Sequence, residues 1–263
     1  MTSDWLLAVG CSLTWGSETT LLRSSLPEDK DNAWPAHLGK LLAADTVINR
    51  GWPGRSNGSI FRVAVSDMAK YADELGTNGV VVIQWTGAAR LEFINPYKID
   101  ITGHYLNSMG GAHPGQEDSY LNVTPGDLGL SPDAIPPIFN DGCIRDFFIK
   151  YWAHEFFQQE LLFTYIVSLT SIASRLGIRI VHFNGIDELN VNSLPNHARL
   201  LDTLIGKEFY YPYDRSKTFW CSSMPDTLLI RPQPDKVYTL PSHPNTAQHI
   251  KWANTLYDYI ISL

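Results

Sequence analysis

Short apolar runs alternate with amphipathic segments along much of the chain, and this alternation predicts strands and helices. Four runs have the length and the near-continuous apolar character that are typical of buried parallel strands. They are WLLAV (5–9), TVIN (46–49), GVVVIQW (79–85) and IRIVHF (178–183). The first run is followed by Gly-Cys-Ser, which places Ser12 at the end of a predicted strand. In an open α/β sheet, that carboxyl edge is where ligands bind.

Helical spacing of apolar residues is found between and after these runs. It predicts helices over 34–43, 60–75 and about 145–176, with Gly177 ending the third. A last helix is predicted to begin near Asn245, which forms a capping-box pattern with the glutamine three residues on. The residues expected on buried faces are Trp34, Leu38, Leu41 and Leu42 in the first helix, Phe61, Val65, Met68, Ala72 and Leu75 in the second, and Ile250, Ala253, Leu256, Tyr257, Ile260 and Ile261 in the last.

This order of elements predicts an α/β protein, a three-layer α/β/α sandwich of the flavodoxin-like type with a central parallel sheet, because each parallel crossover places a helix on a sheet face. A stretch rich in Pro, Gly, Asn and Asp at about 92–145 interrupts the order. A connection of that length is usually a functional loop, a lid or a disordered segment, and a surface loop without a role is the plainer alternative. A second irregular stretch, 186–226, holds aromatic residues that either cover the core or line a cleft. We expect one domain, 1–263, with an insertion at about 92–145.

Composition and charge exclude several classes of partner. The 263 residues are 44% hydrophobic, enough for a full core, and their formal net charge is −7 with no run of Lys or Arg. Nucleic acid and anionic membrane surfaces are therefore not expected as partners. The residues before Gly10 match neither a signal peptide nor a membrane span, so a soluble cytoplasmic protein is expected. Cys11, Cys143 and Cys221 lack CxxC spacing, which favours reduced thiols over disulfides or a metal site.

Three blocks carry candidate chemistry. Ser12 lies in GCSLTWG, Gly54 lies in the glycine-rich NRGWPGRSN, and His243 lies in SHPNTAQH just before the last helix. Glycines after a strand let backbone amides face an incoming anion, helped by the amino end of the helix that follows. A serine, such a turn and a histidine are the parts of an acyl-transfer site: nucleophile, oxyanion donors and general base.

In this order the three blocks resemble those of the SGNH or GDSL-type serine hydrolases. The resemblance implies an SGNH-type fold and an esterase or carbohydrate O-deacetylase acting on a small-molecule or glycan ester. Ser12 would be the nucleophile, the amides of Ser12 and Gly54 the oxyanion donors and His243 the base, with no metal or organic cofactor. The segments GRSN and VVIQWT also resemble SGNH-like proteins of tailed bacteriophages, which implies an acetylated surface glycan as substrate and a virion-associated location. Self-association and contact with virion proteins stay open.

One departure from the family concerns the oxyanion hole. Ala88 and Ala89 stand where the family carries an asparagine and its neighbour, so that side-chain donor is missing. Asn57, Gln84 and Arg90 are the candidates to replace it.

A second departure concerns the acid that orients the histidine. The family usually has an aspartate three residues before the histidine, and this chain has Leu240 there. Asp235 is the nearest upstream acid, and a backbone carbonyl is the alternative partner for the imidazole.

Plainer interpretations stand beside these roles. Ser12 could serve merely as a cap at the end of a strand. Asn57 is favoured as a helix cap over an oxyanion donor, and His249 competes with His243 for the role of base. The rival function is a catalytically degenerate SGNH-fold protein that serves as a structural or glycan-binding component, for example of a virion. Three large aromatic residues beside the blocks either wall the cleft or belong to the core: Trp15, Trp52 and Trp85.

Overall fold

The computed structural model describes residues 2–17, 27–87, 90–94, 120–123, 155–186, 209–210 and 243–263. Its helices are α1 (Ser12–Trp15), α2 (Trp34–Leu41), α3 (Asn57–Leu75), α4 (Glu155–Leu176) and α5 (Thr246–Ser262), with a 3-10 helix at Pro27–Asn32. Its strands are β1 (Trp5–Gly10), β2 (Thr46–Gly51), β3 (Gly79–Trp85), β4 (Leu91–Ile94), β5 (Tyr120–Val123), β6 (Arg179–Asn184) and β7 (Phe209–Tyr210).

The main sheet has the strand order β2-β1-β3-β6-β7, and every neighbouring pair is parallel. The four strands predicted from apolar runs are therefore neighbours, as expected. Trp5 is in register with both Thr46 and Gly79, so β1, β2 and β3 start together and end at one carboxyl edge. Ser12 and the turn after Gly51 both lie at that edge.

Helices cover both faces of the sheet, which confirms the three-layer α/β/α prediction. Alternate residues of β1 point to opposite faces, because the side-chain period of a strand is two. Trp5, Leu7 and Val9 pack in a core formed with α3 and α4. Leu6 and Ala8 pack in a second core formed with α2 and α5.

The ends of the helices follow local chemistry that the sequence displays. Gly177 has a φ of 69°, the left-handed conformation that ends α4 where a glycine was predicted to end it. Asn245 caps α5 by accepting from the backbone N–H of Gln248, whose side chain accepts from the N–H of Asn245. This confirms the predicted capping box. Ser56 caps α3 by accepting from the N–H of Ser59, so the prediction that Asn57 is the cap is wrong.

The predicted buried faces of three helices are partly wrong. Leu41 in α2, Leu75 in α3 and both Ile250 and Ile261 in α5 are exposed. Packing against neighbouring helices, which the periodicity of one segment does not reveal, moves the buried face around each helix. Phe61, for example, stacks on Tyr165 of α4 with ring centroids 4.7 Å apart, so it faces the seam between helices. The residues buried instead include Ile60, Val63 and Ala64 in α3 and His249 and Trp252 in α5.

Little of the interrupting stretch lies in the described residues. Strands β4 and β5 fall in or beside it and pair with each other in an antiparallel sheet that the sequence did not predict. The rest of 92–145, residues 145–154 of the predicted long helix, and 187–208 and 211–226 of the second irregular stretch lie outside the description. None of the helices in the described part is long and apolar enough to cross a membrane.

Candidate active site

Ser12 lies at the first position of α1, a four-residue helix that begins directly after β1. Gly16 ends this helix with a φ of 91°, and the amides of Gly16 and Ser17 both donate to the carbonyl of Ser12. The tight turn leaves the serine 7% exposed at the carboxyl edge of the sheet. The hydroxyl is therefore held at one place on a short, well-bonded element.

His243 meets Ser12 from the other end of the chain. Its Nε2 lies 2.9 Å from Ser12 Oγ, a hydrogen-bond distance between residues 231 positions apart. Two residues after the histidine, the Asn245 capping box fixes the start of α5. A neutral imidazole that accepts from the serine hydroxyl at Nε2 carries its proton on Nδ1, the arrangement that lets Nε2 remove the serine proton.

Gly54 lies in the turn after β2 and has a φ of 76°, a conformation that favours glycine. The turn is tied to β1 and α1 by hydrogen bonds that the sequence did not reveal. Asn49 accepts from the N–H of Gly51 at 2.8 Å and donates to the carbonyl of Thr14 at 2.8 Å. Among the described residues, neither the Ser12 amide nor the Gly54 amide donates a backbone hydrogen bond.

Asn57 uses its side-chain amide to bind the backbone after β3. Its Oδ1 accepts from the N–H of Thr86 at 2.9 Å, and its Nδ2 donates to the carbonyl of Thr86 at 3.2 Å. Both halves of the side chain thus clasp the backbone just after β3. The Nδ2 group carries a second N–H, so the role of Asn57 as a replacement oxyanion donor stays a prediction.

The side-chain amide of Gln84 is also engaged in internal hydrogen bonds. It is fully buried, accepts from the hydroxyl of Thr14 at 2.6 Å, and donates to Cys11 Sγ at 3.1 Å. Gln84 thereby holds Cys11 and Thr14, which flank Ser12, in place. The sequence held one signal for this role: a polar residue inside an apolar strand. Arg90 is a further candidate, and its guanidinium makes one long hydrogen bond, 3.4 Å from Nη1 to the carbonyl of Arg55.

Cys11 caps no helix with its side chain but lies against the nucleophile. Its sulfur is 3.9 Å from Ser12 Oγ, and the thiol is free and buried. Burial raises the pKa of the Cys11 thiol, but the charge of Arg90 and hydrogen bonds from Thr86, Leu13 and Gln84 together bring the pKa below its usual value. Arg90 is therefore close enough to act electrostatically beside Ser12.

His249 does not compete with His243 for Ser12. It is fully buried, and its Nδ1 accepts from the backbone N–H of Trp34 at 3.0 Å. Burial, helped by the nearby His37 and His243, lowers the pKa of His249 to about 3. This histidine is neutral and joins the start of α2 to α5.

The three tryptophans beside the blocks differ in their surroundings. Trp85 is fully buried and stacks with His182 and Tyr165. Trp15 and Trp52 contact each other edge to face with centroids 4.9 Å apart, beside the turns that carry Ser12 and Gly54.

Several predicted positions lie outside the described residues. They are Asp235, Leu240, Ala88, Ala89, Cys143 and Cys221. The acid that would orient His243 thus stays a prediction. Within the described ranges, no group of three His, Cys, Asp or Glu side chains could hold a metal ion.

The fold and the site define an α/β protein with a serine–histidine pair at the carboxyl edge of a parallel sheet. The chain belongs to a family of unknown function (DUF6071), whose profile matches residues 22–200. The matched segment includes Gly54 and Arg90 but neither Ser12 nor His243, so family membership leaves the nucleophile and base to be argued from geometry.

One solved structure is similar in outline. It is a protein of Desulfitobacterium hafniense DCB-2 assigned to the G-D-S-L family of lipolytic proteins, with 11% sequence identity and a TM-score of 0.44 over 97% of this chain and 99% of that chain. This likeness carries no weight for the chemistry of the site. No curated protein sequence matches the chain.

Proposed function

We propose that the protein is a serine hydrolase of the SGNH type that cleaves carboxylic esters, as an esterase or carbohydrate O-deacetylase. The observation that carries the proposal is the 2.9 Å separation of Ser12 Oγ and His243 Nε2. A serine hydroxyl is a weak nucleophile until an adjacent base removes its proton, and an imidazole at this distance is such a base. The place of the pair, at the carboxyl edge of a parallel sheet, is where substrates bind in such folds.

The reaction would run in two stages. Ser12 Oγ attacks the ester carbonyl while its proton moves to His243 Nε2, and the amides of Ser12 and Gly54 donate to the oxyanion. The tetrahedral intermediate collapses, and the imidazolium gives its proton to the departing alcohol. A water molecule then gives a proton to His243 Nε2 and attacks the carbonyl carbon of the acyl-enzyme. The bond from that carbon to Ser12 Oγ breaks, Oγ takes the proton back from His243, and the carboxylic acid leaves.

The rival function is a structural or glycan-binding protein with a degenerate site. The observation that favours it is the engagement of Gln84, whose Nε2 donates to Cys11 Sγ and to the carbonyl of Trp85, which removes one candidate for a third oxyanion donor. Loss of one oxyanion donor costs an enzyme roughly a hundred- to thousand-fold in turnover. An enzyme remains the better proposal, because the backbone amides of Ser12 and Gly54 can bind the oxyanion without a side-chain donor.

Hydrolysis of p-nitrophenyl acetate and of an O-acetylated glycan tests the proposal. Ser12→Ala and His243→Ala should each lower kcat by about a thousandfold or more, and the double variant should be little worse than either, because residues of one catalytic unit are non-additive. The matched control is His249→Asn, which keeps an acceptor for Trp34 and should retain most activity. A wild type that cleaves neither ester and is not labelled by a fluorophosphonate probe, or a Ser12→Ala protein that cleaves both esters as fast, would contradict the proposal and favour the rival function.

A further inference from the structure

A cavity of ≈ 210 Å³ lies between the first turn of α3 and one face of α4. Two leucines of α4 line it together with six residues that bring polar groups: Ser56, Asn57, Gly58, Arg90, Gln158 and Tyr165. Sites for whole drug-sized ligands are about 300–1,000 Å³, so this volume suits one substituent of a substrate.

Arg90 places a guanidinium in the cavity wall, and most of its N–H donors are not used in hydrogen bonds among the described residues. Its side chain is only partly buried, and its one hydrogen bond among the described residues is the 3.4 Å contact with the carbonyl of Arg55. The ion pair found in the described part joins Arg50 to Asp67 and does not involve Arg90. A guanidinium offers five N–H donors in a planar fork that matches a carboxylate or phosphate.

Two interactions connect the cavity wall with the neighbourhood of the nucleophile. Asn57 on its wall clasps the backbone of Thr86 at the end of β3. Arg90, on the same wall, acts electrostatically on the Cys11 thiol, whose sulfur is 3.9 Å from Ser12 Oγ. A group bound at Arg90 can therefore belong to a molecule whose ester bond lies at Ser12.

Lys30 and Arg55 are two further cations close to one another beside the end of β2, in a chain whose formal net charge is −7. Lys30 is half-buried near Arg50 and Arg55, and burial and these two cations lower the pKa of its ammonium group. The amino end of α3 adds the positive end of its helix dipole at the cavity wall. Arg90 and this helix end together favour an anion at the cavity wall.

We propose that the substrate of the Ser12 site is an anionic ester, whose alcohol portion carries a carboxylate or phosphate group that binds Arg90 in this cavity. The inference rests on the proposed function and names its substrate class. Arg90 then determines specificity, and it does not serve as the third oxyanion donor.

Three acetyl esters with the same acyl group test the inference: 4-acetoxybenzoate, 4-acetoxyphenyl phosphate and the neutral methyl 4-acetoxybenzoate. Arg90→Gln should lower kcat/KM for at least one anionic ester about tenfold relative to its effect on the neutral ester, the loss of one charge-assisted contact. Which anionic ester is affected distinguishes carboxylate from phosphate. Arg90→Lys, which keeps the charge and loses the fork, should restore part of the preference.

Arg175→Gln is the matched control. Arg175 is exposed in the last turn of α4, before β6, so the same substitution removes the same charge at the opposite edge of the sheet. It should leave the ratio of anionic to neutral kcat/KM unchanged. Equal losses on all three esters in Arg90→Gln, or no preference for an anionic ester in the wild type, would overturn the inference and leave the hydrolase proposal intact.

A binding measurement separates the two proposals. In the Ser12→Ala protein, 4-hydroxybenzoate or 4-hydroxyphenyl phosphate should bind by titration calorimetry, and adding Arg90→Gln should weaken that binding about tenfold. Binding that depends on Arg90 in a protein whose wild type cleaves no ester would keep the anion site and overturn the hydrolase. Absence of both binding and hydrolysis would overturn both.

Discussion

The residues around Ser12 are placed by contacts that leave little room. An added Cβ at Gly51 would lie 2.2 Å from the backbone nitrogen of Trp15 and 2.5 Å from the carbonyl carbon of Thr14. The end of β2 thus approaches the backbone of α1 as closely as a glycine allows, and Asn49 bonds to Thr14 across the same gap. The position of the nucleophile depends on this approach.

Gly51→Ala should therefore destabilise the protein strongly. The methyl group meets backbone atoms, which cannot rotate away as a side chain can, and overpacking of this kind costs about 1–3 kcal/mol or more. The free energy of unfolding from urea titration, monitored by circular dichroism, measures the loss.

Gly58→Ala is the control for that substitution. Its added Cβ would lie 3.5 Å from Tyr165 Oη, an ordinary contact, at a helical position where alanine is favoured. Its unfolding free energy should stay within about 1 kcal/mol of the wild type. Equal stability of the Gly51→Ala and Gly58→Ala proteins would contradict the close approach of β2 and α1.

At this scale the sequence predicted Ser12, Gly54 and His243 as site residues, but it did not reveal the hydrogen-bond partners of two side-chain amides. Asn57 and Gln84 were candidates because their side chains carry N–H donors near the site. Their partners, Thr86 for one and Thr14 and Cys11 for the other, become neighbours only when α3, β3 and α1 meet. Such pairings depend on tertiary contacts, which local patterns do not contain.

The helices and strands themselves were predicted more accurately than the faces on which the helices are buried. The apolar runs gave four strands of the sheet, and the cap residues gave the start of α5 and the end of α4, because a strand's buried run and a helix cap are local chemistry. The buried faces of α2, α3 and α5 differ from the predicted ones, because a helix in a layer contacts both the sheet and a neighbouring helix. Phe61 and Tyr165 show this second contact.

A buried histidine joins two of these elements. The backbone N–H of Trp34 at the start of α2 has no side-chain cap from its own segment, and Nδ1 of His249 accepts its hydrogen bond from α5. The sequence offered His249 only as a rival base. Its role is to link the helices of one layer.

Two histidines among the described residues are buried and neutral, His182 and His249. Burial lowers the pKa of His182 and of His249 to about 3 from an ordinary value of 6.5. The folded state therefore binds fewer protons than the unfolded state between these values. Stability is complete above about pH 6.5 and falls as the pH drops toward about 3.

The unfolding free energy should fall by about 2–3 kcal/mol between about pH 7.5 and about pH 5.5, since each histidine contributes up to about 1.4 kcal/mol per pH unit. Urea titrations at a series of pH values measure the slope. His249→Asn, which keeps an acceptor for Trp34 and cannot titrate, should remove about half of it. A slope that is unchanged in this variant would show that His249 is not buried in neutral form.

The arrangement of the whole sheet explains why the site was predictable in outline. Parallel strands end at one edge, so Ser12 after β1 and Gly54 after β2 had to be neighbours once the strand order was known. His243 joins them because α5 packs in the same layer as α2, against β1. The cavity at Arg90 was not predictable, because it needs the relative placement of α3 and α4.

Labelling with a fluorophosphonate probe tests the central claim, that Ser12 is a nucleophile activated by His243. Attack by Ser12 Oγ forms a phosphorus–oxygen bond, fluoride leaves, and the added mass can be located by peptide mass spectrometry. We expect the wild type to be labelled at Ser12, the His243→Ala protein to be labelled about a thousandfold more slowly or not at all, and His249→Asn to be labelled like the wild type. A folded wild type that stays unlabelled, or one labelled at another residue, would contradict the claim.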